Sequence, residues 1–180
     1  MPVPGTSALV VELPAAEGLL DAARTVNPAL VRPGLPPHVT ALYPFLPAAQ
    51  LTPEVDAAVA ALAAEHRAVD VRLTELVVSA GFVAAAAPAL QPLADAVGGR
   101  WPDVAPYGGR FGPQPPAHLT VAMGATEAET RAVATAAAEL LPVTGRAGAL
   151  RLVVLTESGW QLRLTAPLGN SSGATHSRRR

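Results

Sequence analysis

The chain reads as an α+β protein. Three observations predict this. Segments of helical period alternate with strand-like ones, several strand-like segments follow one another directly, and the last two are separated only by a short turn. The predicted order is β-α-β-α-β-β-α-β-α-β-β, with direct strand-to-strand joins that a strict doubly wound parallel sheet lacks.

Each element has a local reason. Ser7 to Leu13, rich in valine and leucine, is a strand stopped by Pro14. Ala15 to Val26 puts Leu19, Ala23 and Val26 on one helical face, and Pro28 ends it. A proline-rich loop, Pro33 to Pro37, feeds an apolar strand from His38 to Tyr43, closed by Pro44. Thr52-Pro53-Glu54 reads as a helix start, with a capping threonine, proline in the first turn and an acid at the positive end of the dipole. Val55, Val59 and Leu62 line that helix, and His66 sits at its far end as a dipole partner. Val69 to Leu73 alternates apolar and charged residues, as a half-buried strand does. Phe82 to Ala87 is the next strand, and Pro88 to Val97 the next helix, expected to end at Gly98-Gly99. A long loop from Pro102 to Pro116 precedes a strand from His118 to Met123. Thr126 and Glu129 have capping-box spacing and open a helix carrying Val133, Ala137 and Leu140. Leu150 to Thr156 and Trp160 to Ala166 pair as a hairpin through Glu157-Ser158-Gly159. Residues 1–168 are expected to form a single domain, and residues 169–180 a polar, basic, untethered tail.

Composition narrows the chemistry. The 180 residues contain no cysteine, which excludes disulfides, thiolate nucleophiles and cysteine metal sites. All 13 basic residues are arginine, which excludes a P-loop lysine, a Schiff-base lysine and a lysine general base. Net charge is −1, and the ten arginines before Arg178 leave residues 1–177 at −4, so no general attraction to long nucleic acid is expected. Met1 to Pro14 has no basic n-region, and no run of about 18 apolar residues lacks a charge or proline, so neither a signal peptide nor a membrane span is expected. A cytoplasmic monomer is the expectation. Only four histidines, His38, His66, His118 and His176, can run acid–base chemistry near neutral pH.

Two segments resemble each other: Pro36-Pro37-His38-Val39-Thr40-Ala41-Leu42 and Pro116-Ala117-His118-Leu119-Thr120-Val121-Ala122. Each has a proline approach, then His-x-Thr with an aliphatic x. On a strand, i and i+2 point the same way, so each histidine shares a face with its threonine. Two such pairs aimed at one point suit a phosphodiester. One imidazole takes a proton from the nucleophile, the other protonates the leaving oxygen, and the hydroxyls bind the non-bridging oxygens. No metal is required. The residues also admit two structural histidines on half-buried strands, and a two-histidine metal site, although no nearby carboxylate completes a ligand set.

Paired His-x-Thr strands about 80 residues apart resemble the 2H phosphoesterase superfamily, and in particular the bacterial 2′-5′ RNA ligase family, also called RNA 2′,3′-cyclic phosphodiesterases. The likeness runs over about residues 6–167 and is carried most closely by His38-Val39-Thr40-Ala41-Leu42-Tyr43-Pro44-Phe45 and by Tyr107-Gly108-Gly109-Arg110-Phe111 before the second motif. It implies a bilobal α+β fold with pseudo-twofold symmetry, two antiparallel sheets facing a central cleft and helices outside. It implies metal-independent hydrolysis of 2′,3′-cyclic phosphates to 2′-phosphates, with 2′-5′ cleavage or ligation as related chemistry and no cofactor. The expected substrate is a nucleotide or short RNA. His38 would then be the proton donor, His118 the acceptor, and Thr40 and Thr120 the phosphate binders. The alternative function is a non-catalytic nucleotide- or RNA-binding module on the same fold. A matched acid–base pair argues against it, because binding alone needs none.

Other residues are candidates for substrate contact. Phe45 and Phe111 lie beyond strand ends and are placed to stack a base, whereas Tyr43, on the Val39 face, reads as core. Arg110 is either a phosphate ligand or a solvated loop residue. His176 and the Arg178–Arg180 run fall in the tail.

Overall fold

Alternation decides which way each strand faces. The computed structural model describes residues 3–169. The elements are β1 (Ser7–Glu12), α1 (Glu17–Val26), β2 (His38–Leu42), α2 (Pro53–Glu65), β3 (Val69–Leu73), β4 (Leu76–Ser79), β5 (Phe82–Ala86), α3 (Gln91–Arg100), β6 (His118–Met123), α4 (Glu127–Ala138), β7 (Val143–Ala147), β8 (Ala149–Thr156) and β9 (Gly159–Pro167). Leu9, Val11, Val39, Leu119 and Leu152 point to one face of the sheet. There they join apolar residues from all four helices, among them Leu19, Val59, Leu93 and Val133, in one buried core. Burying a leucine or valine side chain of this kind contributes roughly 1.5–3 kcal/mol. The opposite face carries only a small cluster, Ala8, Val10 and Val153 under Leu35, Tyr43 and Trp160.

The α+β class holds: a seven-stranded sheet, order β4-β5-β6-β2-β1-β8-β9, accompanies a two-stranded sheet, β3-β7. All seven strands pair antiparallel. One detail of the arrangement differs from expectation. The two motif strands do not belong to separate facing sheets, because β2 pairs directly with β6 at Val39 and Leu119. That pairing covers two strand edges that would otherwise be open. The smaller sheet turns Val71, Leu73 and Ala147 into the shared core.

Several local expectations are corrected. Strands β4 and β7 carry little sequence signal. Val77 and Val78 of β4 are both exposed, so it shows no alternation, and β7 contains Gly145, whose missing side chain admits Ala15 and Leu13. Helix α3 continues through Gly98-Gly99 to Arg100. The helical cost of those glycines, roughly 1 kcal/mol each, is offset by Val97 in the core just before them and by Trp101 just after them, whose ring meets Phe45 edge-on at 5.0 Å. Thr52 occupies the N-cap of α2, but its side chain accepts no backbone bond. Its hydroxyl turns to Glu54 and helps hold that carboxyl below the usual carboxylate range. Thr126, in contrast, forms the full capping box with Glu129 at α4. His66 caps the end of α2 with Nδ1 against the Leu62 carbonyl at 2.9 Å. Gly169, expected to begin the tail, is held there: its N–H donates to the His66 carbonyl (2.7 Å) and its own carbonyl accepts from Ala68 (3.0 Å). Residues 170–180, with His176 and Arg178–Arg180, lie outside the described residues. No helix among the described residues is long and apolar enough to cross a membrane.

Candidate active site

The antiparallel register of β2 and β6 arranges the two motifs head to tail. With Val39 opposite Leu119, His38 falls alongside Thr120 and Thr40 alongside His118. The aliphatic members point into the core, Val39 1% and Leu119 0% exposed, so the four polar side chains share the face free of helices. All four are half-buried.

Each imidazole is oriented by the backbone before it. His38 Nδ1 lies 2.8 Å from the Pro36 carbonyl, and His118 Nδ1 lies 2.8 Å from the Pro116 carbonyl. A carbonyl only accepts, so Nδ1 carries the proton in both rings. Nε2 is left as the working nitrogen. The approach segments are tied down in parallel ways: the Leu13 N–H donates to the Pro37 carbonyl (2.7 Å), and the Ala87 N–H to the Ala117 carbonyl (2.9 Å). The second approach has an extra clamp. Gln91 of α3 accepts from the Ala117 N–H at 2.7 Å and turns its amide nitrogen to Asp95 and the Pro115 carbonyl.

The surroundings of the two histidines differ. His38 faces Glu12 across the β1–β2 ladder, whereas His118 faces Ala86 across β5–β6. Burial holds the His38 imidazole below the ordinary histidine range, while its bond to Pro36 and the charge of Glu12 pull the other way. His118 instead meets the edge of Phe82, ring centroids 5.7 Å apart.

Tyr107, which the sequence places in the loop segment before the second motif, comes to lie at the candidate site. It lines one cavity with Thr40, and burial pushes its phenol above the ordinary tyrosine range against the opposing influence of the Thr40 side chain, so it stays protonated and can donate. The residue takes φ +51°, a conformation rare for a side chain of this size, and its N–H is held by the Tyr43 carbonyl at 2.6 Å. Only the folded path of the 102–116 loop brings it to Thr40. Between that loop and α3 opens a cavity of about 690 Å³, walled by Thr40, Tyr107, Gln91, Asp95, Gly98 and Gln114 among others. Among the described residues, no group of three or more histidine, aspartate and glutamate side chains is placed to hold a metal ion.

The family model described as the 2′-5′ RNA ligase superfamily matches residues 11–159. The chain belongs to this superfamily. Solved structures agree on the fold of this 2′-5′ RNA ligase superfamily member. A crystal structure of a phosphoesterase aligns at TM-score 0.54 and 16% identity, over 93% of this chain and 99% of that one. E. coli LigT complexed with 3′-AMP aligns at TM-score 0.56 and 16% identity, over 92% of this chain and 99% of LigT. LigT complexed with NADP+ aligns at TM-score 0.54 and 15% identity, with coverage of 93% and 99%. No curated protein matches the sequence.

The remaining expected contacts divide within this superfamily member. Phe45 does not reach the site: at 4% exposure it lies in the core against Trp101, because the chain turns inward after Pro44 and strand alternation no longer applies. Tyr43 is not in the main core either. It packs on the open face, its ring centroid 6.2 Å from Tyr107 and 6.5 Å from Trp160. Phe111 remains available, 61% exposed, edge-on to Tyr107 at 5.5 Å and capped by the Arg110 guanidinium at 5.7 Å. Arg110 is exposed on that loop.

Proposed function

We propose that the protein is a phosphodiesterase that opens 2′,3′-cyclic phosphates of nucleotides or short RNA ends to 2′-phosphates. One observation carries this reading: two His–Thr pairs stand head to tail on one sheet face, each histidine presenting a free Nε2 with its other nitrogen fixed. A site that only binds phosphate needs donors; it does not need two imidazoles held in the same tautomer. The nucleotides present in the LigT complexes belong to the same ligand class.

In the proposed reaction His118 Nε2 removes a proton from water as its oxygen bonds to phosphorus. The P–O3′ bond breaks, and His38 delivers its proton to the departing 3′ oxygen. Thr40 and Thr120 donate to the non-bridging oxygens, where charge accumulates in the transition state. Tyr107, kept protonated by burial, stands next to Thr40 and can donate to its hydroxyl. His38 must be protonated in the complex to serve as donor. Glu12 opposite it and the anionic substrate both favour that form against its burial.

The test is a panel of 2′,3′-cyclic nucleotides, a cyclic-phosphate-ended RNA and a 2′-5′ dinucleotide, with products resolved as 2′- or 3′-phosphates. Turnover to 2′-phosphate, lost in both His38→Ala and His118→Ala, is the expected result. Near wild-type turnover by either variant would overturn the assignment.

A further inference from the structure

The sheet register places one cation on the same row as the reacting groups. Counting across from β6, that row runs His118, Thr40, Val10, Arg151, Thr165. Neighbouring strands lie about 4.8 Å apart, so the Arg151 backbone stands roughly 10 Å from that of Thr40. Val10 belongs to the open-face cluster, and ladder partners share a face, so Arg151 projects on the side of the histidines. Its guanidinium lies 3.2 Å from the carboxylate of Glu12, the residue opposite His38.

The donors of this arginine are unfilled. Its side chain is only 33% exposed, yet among the described residues no hydrogen bond engages it beyond that single ionic contact. Two other arginines are covered to a similar degree. Arg24, 38% exposed, donates to both Glu17 and Asp21. Arg163, 34% exposed, uses both sides of its fork on Asp56 and reaches the Leu51 carbonyl. A guanidinium has five N–H donors in a plane that matches a phosphate, so a partly covered one beside a phosphate site is incomplete without an anion. The chain as a whole, at net −1, supplies no other general attraction for a polyanion.

We propose that Arg151 is a subsite for a second phosphate of the substrate, one linkage away from the reacting cyclic phosphate. This rests on the phosphodiesterase reading above. The group it takes is either an internucleotide phosphodiester of an RNA end or a pyrophosphate. Binding there draws the guanidinium from Glu12, and Thr165 is the ladder partner of Arg151 on the same face.

The experiment compares kcat/KM for a 2′,3′-cyclic mononucleotide, a dinucleotide ending in a 2′,3′-cyclic phosphate, and a cyclic phosphate that carries a pyrophosphate. The wild type is expected to prefer at least one of the two larger substrates by about tenfold, the size of a charge-assisted phosphate contact. In Arg151→Gln the preference collapses toward one, and Arg151→Lys, which keeps charge without the planar fork, falls between. The larger substrate whose preference collapses further identifies the phosphate source. An unchanged preference in Arg151→Gln overturns the subsite, including the case in which all rates fall together, because an arginine that merely balances Glu12 would act on every substrate alike. If the wild type turns over none of them, the phosphodiesterase reading fails separately. The subsite is then read from calorimetric Kd values of a nucleoside 2′-phosphate against the dinucleotide 2′-phosphate, and equal dependence on Arg151 overturns it.

Discussion

His38 and His118 each follow a proline approach, rest Nδ1 on the carbonyl two residues back and share a face with the threonine two residues onward. Their neighbours are not alike. Across the ladder stands Glu12 for the first and Ala86 for the second. The first ring is lowered by burial, and the second lies against Phe82. Thr40 is engaged by Tyr107. Gln91 clamps only the approach to His118, while Glu17, at the start of the earlier helix, is committed to Arg24. A common backbone frame with unlike surroundings suits the proposed acid–base roles. Two identical imidazoles in identical surroundings would have no built-in reason for one to give a proton and the other to take it.

The largest expected effect tests whether both halves are needed. Replacing either His38 or His118 by alanine should lower kcat about 100- to 10,000-fold on a cyclic nucleotide. The double variant should be little worse than the poorer single, because groups acting as a unit are not additive. A double variant slower by the product of the two losses would mean that the halves work independently.

Tyr107→Phe sharpens the contrast at the threonines. It keeps the ring and removes only the hydroxyl that meets Thr40, and a lost hydrogen bond of this type should lower kcat/KM roughly 3- to 10-fold. Steady-state kinetics indistinguishable from wild type would remove Tyr107 from the site.

The outer helices offer a stability version of the same comparison. Thr126→Ala dismantles a complete capping box and should cost about 1 kcal/mol in urea unfolding. Thr52→Ala, at a position whose side chain caps no backbone group, should leave the midpoint nearly unchanged. Equal losses would show that the two caps are equivalent in solution.

The smallest effect concerns pH. His38 in the folded protein titrates below its ordinary value, about 6.5 in the unfolded chain. Between those two values the unfolded chain binds more protons, so stability is full above about pH 6.5 and declines as pH falls toward the folded value. Urea midpoints at pH 7.5 and pH 5 should therefore differ less in His38→Gln than in the wild type. Glu12→Gln, which removes a charge favouring the protonated ring, should enlarge the difference.

Local patterns account for the parts of the fold that the sequence made legible. The His-x-Thr strands, the β8–β9 hairpin and the Thr126 capping box all follow from residues a few positions apart. What escaped depends on distant partners. Strand β7 exists through its pairing with β3, and Val77 and Val78 of β4 give no alternation to read. At the site, the histidines and threonines announce themselves by repetition. Glu12 and Arg151 acquire meaning only from the register of strands far apart in the chain. Tyr107 reaches Thr40 through a loop conformation uncommon for tyrosine. Phe45 misled because the period of a strand was carried one turn past its end, where the backbone had already turned toward Trp101.

The groups that orient the two histidine rings are the backbone carbonyls of Pro36 and Pro116. A side-chain carboxylate in that place would be erased by one codon change and would impose its charge on the ring. A main-chain oxygen persists through any substitution that preserves the path of the loop, and it is uncharged. Ring alignment is thus insulated from drift in side chains, while proton affinity stays open to adjustment by whichever residue the adjacent strand presents. Each of the two His-x-Thr frames can therefore be retuned without disturbing the other.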